Sequence, residues 1–341
     1  MRSYFNGSIR KTLRMNELYP LKFAPLFKDK IWGGQKAKTI FGLDFSPLPN
    51  CGEVWVLSGY QGNESVVSNG FLKGNDINEL IEIYMEDLLG DRIFEAFGHN
   101  FPLLIKILDS NDWLSIQVHP DDELAAERHK GSGKTEMWYV IDAEPDSELI
   151  SGFRSKVTRE QYLEKLNSKA LTSILNYEKA VAGDVFFVPA GRVHALGPGL
   201  FIAEIQQSSD LTYRIYDYDR PDSEGHLREL HTALALDAID FEYHTDIKTA
   251  YVPAMNKTVP LVQSPFFETS LLHFGTTVVK NYAGLDSFVI LFCVGGKCSV
   301  QYPHGTEILK AGEVMLVPAS MEENIALVPL AETKILEIFI P

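Results

Sequence analysis

The chain has 341 residues, of which 45% are hydrophobic and 23% charged, with a formal net charge of −15. This is the balance of a globular protein with material for a large core or two ordinary domains. The acidic excess excludes broad nucleic-acid or anionic-membrane binding, and an anionic small substrate would need a local cluster of Lys and Arg.

The first 17 residues carry Arg2, Arg10, Lys11 and Arg14 without an apolar stretch. They read as an N-terminal extension outside the fold, disordered or preceding a start at Met15, and not as a secretory signal. No apolar run anywhere approaches the length of a membrane span. Residues 20–70 are turn-rich, with short apolar runs at 25–27, 31–34 and 54–57 that predict strands and loops around a sheet. Periodicity from residue 76 to about 97 predicts helix, capped by Asn75 or Asp76. Residues 102–108 form an apolar strand interrupted by Lys106. Spacing alone favours a lysine that snorkels to the surface over one that serves a site.

The stretch from 113 to 140 organises the rest. Leu114-Ser115-Ile116-Gln117-Val118-His119 alternates apolar and polar residues, the mark of a half-buried strand, so Gln117 and His119 point the same way. Pro120 ends the strand, Asp121-Asp122-Glu123 reads as a solvated turn, and a polar segment runs through Gly131-Ser132-Gly133. A second strand opens with Lys134-Thr135-Glu136. If the two strands are neighbours in one small barrel, Gln117, His119 and Glu136 converge. Imidazole, carboxylate and amide oxygen together suit a divalent metal of intermediate softness, zinc being the first candidate. One ligand is still missing.

Apolar positions over 158–175 fit a helix capped by Thr158, a lobe between two groups of strands. Residues 182–194 then form a strand-turn unit that recurs at 311–319, offset by 129 residues from Gly183 to Gly312, with Gly, an acidic residue, Val, Val, Pro and Ala in register. This is an internal repeat. The counterpart of His194 is Glu323, so the second copy is expected to be structural. Residues 230–238 predict a short helix or linker, and 244–260 an irregular stretch. Runs at 269–274, 288–294, 297–302, 314–317 and 334–340 predict an all-β barrel or sandwich. Cys51, Cys293 and Cys298 form no CxxC pair and read as buried or free thiols in a reducing compartment. His129, His226, His231 and His304 lie in polar segments and read as surface residues.

Gly183, Pro189, Gly191 and His194 have the G-x5-P-x-G-x2-H form of the second cupin motif. Ser115 to Pro120, reading SIQVHP, followed by Lys134-x-Glu136, resembles type I mannose-6-phosphate isomerase (phosphomannose isomerase). Lys106 sits where that family has a lysine upstream. Asp210-Leu211-Thr212-Tyr213-Arg214 resembles its Ser-Asp-x-x-x-Arg segment, and Tyr216-Asp217-Tyr218-Asp219-Arg220 its short bacterial branch. The resemblance covers roughly residues 18–341. It implies a mainly β fold of two cupin (jelly-roll-like) β-barrels with an inserted helical lobe. The division would be a metal-binding domain over 18–245, with helical insertions at about 73–98 and 155–177, and a metal-free domain over 246–341.

The implied activity is zinc-dependent interconversion of mannose 6-phosphate and fructose 6-phosphate through an enediol, in cytoplasmic carbohydrate metabolism, with no nucleic-acid or membrane partner. Carried over by position, Gln117, His119, Glu136 and His194 would hold one Zn2+ per chain. Arg214 and Lys134 would be catalytic, and Ser115, Lys106 and Asp210 would bind substrate. Gly133-Lys134-Thr135-Glu136 departs from the family's His-Lys-Pro-Glu, so the histidine sometimes proposed for proton transfer is absent and the general base is left unassigned. Two other functions compete. An iron cupin oxygenase would favour a His-rich ligand set, against which Gln117 counts. A non-catalytic sugar-binding cupin would not need Lys134 and Arg214 beside an intact metal set.

Overall fold

The structure is a computed structural model that describes residues 17–221 and 225–341; the expected extension at 1–16 lies outside the described residues. Short strands β1 (Leu21–Lys22) and β2 (Leu26–Lys28), helix α1 (Lys36–Phe41) and strand β3 (Glu53–Ser58) come first. Helices α2 (Ile77–Leu89) and α3 (Asp91–Phe97) precede β4 (Leu103–Ser110), β5 (Ile116–Val118), α4 (Asp122–His129), β6 (Glu136–Ala143) and β7 (Glu148–Phe153). Helix α5 (Arg159–Asn167) leads to β8 (Leu175–Lys179), β9 (Val185–Val188), β10 (His194–Leu196), β11 (Leu200–Gln207), β12 (Tyr213–Tyr216) and α6 (Thr232–Ala238). The remainder is β13 (Lys257–Gln263), β14 (Glu268–Phe274), β15 (Val278–Lys280), β16 (Val289–Gly295), β17 (Lys297–Tyr302), β18 (Gly305–Lys310), β19 (Val314–Val317), β20 (Ile325–Pro329) and β21 (Thr333–Phe339).

The strands form four sheets, in the orders β12-β5-β10-β7-β8, β2-β3-β4-β11-β6-β9, β1-β19-β16-β21-β14-β13 and β15-β20-β17-β18. None closes on itself, and the fold is mainly β. The period-two pattern of the long strands explains how they stack. On β11, Phe201, Ala203 and Ile205 pack with Ile290, Phe292, Leu336 and Ile338, joining the two six-stranded sheets back to back. From the opposite face, Leu200 and Ile202 pack with Leu114, Leu149 and Leu196 of the five-stranded layer. Leu272, Leu291 and Ile335 bury against Val300, Leu309 and Leu327 of the four-stranded sheet. Each half is thus a sandwich, and the halves share one apolar interface. The N-terminal strand crosses between them, since Leu21 pairs with Leu316.

The repeat is a structural one. Gly183 N–H donates to Val140 and Val140 N–H to Asp184 (2.8 and 2.9 Å); Gly312 donates to Cys293 and Cys293 to Glu313 (2.9 and 3.0 Å). Both turns need a positive φ, +93° at Gly183 and +87° at Gly312, which explains the glycine in each copy. Asp76 caps α2 and Thr158 caps α5, each in a capping box.

Three expectations are corrected. Asp121-Asp122-Glu123 is exposed as expected but opens a helix rather than forming a turn: Asp121 caps α4 by accepting from Leu124 N–H at 2.9 Å, and Asp122 accepts from Gly133 N–H at 2.7 Å. The predicted helix over 158–175 ends at Asn167, with a 3-10 turn at Leu171–Ile174 and β8 from Leu175. Lys106 is not at the surface but 3% exposed.

Candidate metal centre

Two facing sheets build the site. Antiparallel β10, β5 and β12 align His194, Gln117 and Arg214 in one cross-strand row, and such neighbours share a face. On the facing sheet, β6, β11, β4 and β3 align Trp138, Glu204, Lys106 and Trp55. His119 follows β5 directly and Glu136 opens β6.

His119, Glu136 and His194 converge, each about 1% exposed, with one ligand atom apiece all within 4.8 Å of one another. His119 Nε2 lies 3.6 Å from Glu136 Oε2, and His194 Nε2 3.5 Å from Glu136 Oε1. Both imidazoles are oriented from behind. His119 Nδ1 lies 2.8 Å from the Leu211 carbonyl and His194 Nδ1 2.8 Å from that of Arg192. A carbonyl only accepts, so Nδ1 carries the proton and the Nε2 lone pair faces the centre. Burial pushes the His119 pKa well below its usual value and that of His194 down to about 4, so both are neutral at pH 7. Burial raises the Glu136 carboxyl to about 7, against the pull of Lys134.

Glu136 Oε1 and His194 Nε2 are buried without a hydrogen-bond partner among the described residues. Orphaned acceptors of this kind are rare in native interiors, and a cation is what they lack. Two neutral imidazole nitrogens with one carboxylate fit a divalent metal. Gln117, next to His194 in the row, lines the cavity at this point. Lys134 Nζ lies 2.9 Å from Glu136 Oε2 and 3.0 Å from His119 Nε2, so an ion taking those atoms would turn the ammonium into the cavity.

That cavity, about 290 Å³, is lined by Lys30, Lys106, Lys134, Arg214 and Arg228, by Glu53, Glu204 and Asp210, and by Ser115, Thr212 and Trp32. It is at the small end of ligand sites, suited to one compact polar molecule. Lys106 pairs with Glu204 at 3.2 Å and lies 5.2 Å from the Trp55 ring. Burial alone would lower its pKa, but Glu204 and Glu53 outweigh that and keep it protonated. Glu53 pairs with Lys30 at 3.0 Å; despite burial, Lys106 and Lys30 hold its carboxyl at about 2. Arg214 neither stacks on its neighbouring tyrosines nor pairs with Asp210. Its Nη1 donates to the Glu229 carbonyl at 2.9 Å, its Nε is buried without a partner, and no carboxylate pairs with it among the described residues. A larger cleft of about 1060 Å³ beside α2 and the β17–β18 turn has no Lys or Arg among the described residues of its lining.

Every residue assigned a site role from sequence therefore lies at the centre or on the cavity wall. Of the other histidines, His129 contacts Tyr213 Oη at 2.7 Å and His231 Nδ1 accepts from Arg214 N–H at 3.2 Å, behind β12. Sequence reasoning missed Glu204, Glu53 and Arg228. A signal existed for Glu204, a lone charge in the apolar run of β11, as Lys106 is in β4.

A family model, "Phosphomannose isomerase type I, catalytic domain", matches residues 20–170. Mannose-6-phosphate isomerase ManA of Bacillus subtilis is 37% identical over 308 residues, spanning 89% of this chain and 94% of that protein. Mannose-6-phosphate isomerase of Streptococcus mutans is 41% identical over 253 residues, 73% of this chain and 77% of that one. The crystal structure of the Bacillus subtilis mannose 6-phosphate isomerase superposes with a TM-score of 0.85 at 34% identity, covering 94% of this chain and 99% of that chain. A phosphomannose isomerase variant from Salmonella typhimurium, at 16% identity and a TM-score of 0.76 over 94% of this chain and 99% of that one, shares the fold. On sequence, on coverage and on fold, the chain belongs to the type I phosphomannose isomerase family.

Proposed function

We propose that the protein interconverts mannose 6-phosphate and fructose 6-phosphate through an enediol, with one Zn2+ held by Gln117, His119, Glu136 and His194. The observation that carries the reading is the set of buried, unpartnered ligand atoms of Glu136 and His194 beside Lys134 and Gln117, which line a cation-rich cavity, in a chain with this family membership. A bound divalent cation supplies Lewis acidity toward sugar oxygens.

The chain's own groups do the rest. Arg214, held in the row with Gln117 and lacking a carboxylate partner among the described residues, presents a fixed cation to the oxygen that gains charge as the enediolate forms. Lys134 Nζ, on the cavity wall, can donate a hydrogen bond to a sugar oxygen. Asp210 and Ser115 line the wall where hydroxyls would sit, and Lys106, paired with Glu204, lines it with them. We read the two sandwiches as cupin barrels, divided near residue 245, with metal chemistry in the first alone. A cytoplasmic setting fits the three free, buried thiols.

The test is a coupled assay for fructose 6-phosphate on purified protein of measured metal content. One zinc per chain is expected, with activity lost on chelation and restored by zinc. Fully loaded protein that forms no fructose 6-phosphate would overturn the reading.

A further inference from the structure

Beyond β12 lies a charged cluster that the proposed chemistry does not use. Asp217, 5% exposed, binds two arginines, Arg220 and Arg228. Arg228 Nε donates to Asp217 Oδ2 at 2.6 Å and its Nη2 to Oδ1 at 2.5 Å, a two-bond fork, while Arg220 Nη2 donates to Oδ1 at 2.8 Å. Arg220 also reaches Asp112 at 3.0 Å and lies 5.2 Å from the Tyr218 ring. Tyr218 and Asp219, just before Arg220, both have positive φ, 58° and 52°. Two consecutive non-glycine residues in that region are unfavourable, and such turns persist where surrounding contacts hold them.

The cluster's outlet is the cavity, because Arg228 lines it together with Arg214. Arg228, fixed on Asp217 beyond Arg214, offers the cavity wall further donors for an anion. Its position follows from the register. Arg214 pairs with Gln117 and Tyr216 with Ile116, so the chain from Arg214 to Asp217 runs away from His119 toward Ser115. Three residues of bulged strand span about 7–10 Å. That is the separation a six-carbon sugar needs between reacting carbons at the metal centre and a phosphate at its far end.

We propose that Arg228 binds the phosphate of the substrate, and that Asp217 is a positioning residue that fixes the guanidinium through the fork and is itself braced by Arg220. The assignment of a hexose 6-phosphate rests on the function proposed above; the anion site itself does not.

Two measurements separate these claims. Steady-state kinetics with mannose 6-phosphate are compared for wild type, Arg228→Gln, Arg228→Lys and Asp217→Asn. In parallel, calorimetry measures the binding of inorganic phosphate to each, with folding checked by thermal melting. Arg228→Gln is expected to raise KM by about 10- to 100-fold, the worth of a charge-assisted contact, with kcat within about threefold and phosphate binding weakened in step. Arg228→Lys and Asp217→Asn, which keep the charge but lose the fork, should raise KM by less than Arg228→Gln and leave kcat in place. Unchanged KM and phosphate affinity in folded Arg228→Gln would overturn the proposal, as would a fall in kcat at constant KM. Should wild type bind phosphate through Arg228 yet fail to turn over mannose 6-phosphate, the anion site stands and the isomerase reading falls.

Discussion

The two sandwiches repeat one turn and differ in what their interiors leave unfinished. Each carries a buried glutamate at the fifth position of a long strand, Glu204 on β11 and Glu337 on β21. Glu337 is fully satisfied: it accepts from Tyr282 Oη at 2.6 Å, from Thr258 at 3.0 Å and from Lys280 Nζ at 2.9 Å. Glu204 is partnered as well, by Lys106 and by Trp138 Nε1 at 3.2 Å. Around Glu204, however, Glu136, His194, Gln206 and Arg214 keep buried atoms without partners, whereas around Glu337 the described residues leave only the Thr269 hydroxyl. A buried charge therefore does not mark a site in this fold. What marks it is a surplus of buried polar atoms that the chain cannot satisfy by itself.

The largest effect should come from removing that surplus. His119→Ala or His194→Ala is expected to abolish metal retention and isomerase activity while the fold survives on its separate cores, measured by elemental analysis, the coupled assay and thermal melting. Full activity in metal-free His194→Ala would break the comparison at its centre. Arg214→Ala should lower kcat by roughly 10²–10³-fold with a smaller change in KM, the range for losing one preorganised donor. Arg214→Lys should recover little, because an ammonium lacks the fork. Unchanged kcat with a raised KM would move Arg214 from catalysis to binding.

Acid should act on the first sandwich before the second. Glu136, raised to about 7 by burial, must lose its proton to ligate a metal. Metal affinity is thus expected to level off above about pH 7 and to fall by up to about tenfold per pH unit below it, more steeply as His194 begins to charge near 4. Calorimetry in buffers of different ionisation enthalpy reads the released proton; a flat affinity from about pH 5 to 8 would contradict this. In the second sandwich, Lys280→Ala strips Glu337 of its cation and should reduce stability by about 1–3 kcal/mol, seen as a lower Tm with kcat unchanged. Glu323→Ala, at the exposed counterpart of His194, should leave turnover within about a factor of two. Two tightly bound metals per chain would erase the distinction between the halves.

The convergence of His119, Glu136 and His194 could be anticipated from sequence because strand spacing and the Pro-Ala-Gly-x-x-His turn are local. Gln117 and His119 share a face by period two, and Gly183 needs a conformation few other residues adopt. The repeat was likewise visible, since its turn is made by the residues that recur. What stayed hidden depends on pairing between distant strands. Lys106 reads as a surface lysine until β11 brings Glu204 beside it at a separation of 98 residues. The Asp217 fork needs Arg228, eleven residues on, to return to it, and no periodicity records that. Helix α4 was missed because its polar, weakly amphipathic sequence signals little beyond its Asp121 cap.

Strand β1 ties this fold to the order in which it is made. Leu21 leaves the ribosome early, yet its partner Leu316 is synthesised 295 residues later, about 15–60 s at ordinary elongation rates. Until then β1 has no ladder, and the apolar backs of β4, β6 and β11, which pack on β16 and β21, face water. The first sandwich can bring His119, Glu136 and His194 together before the second exists, but it waits with an open apolar face. A truncated chain that stops short of β19 would expose that face permanently, so prematurely terminated products of this protein should be the ones that aggregate or are taken up by chaperones.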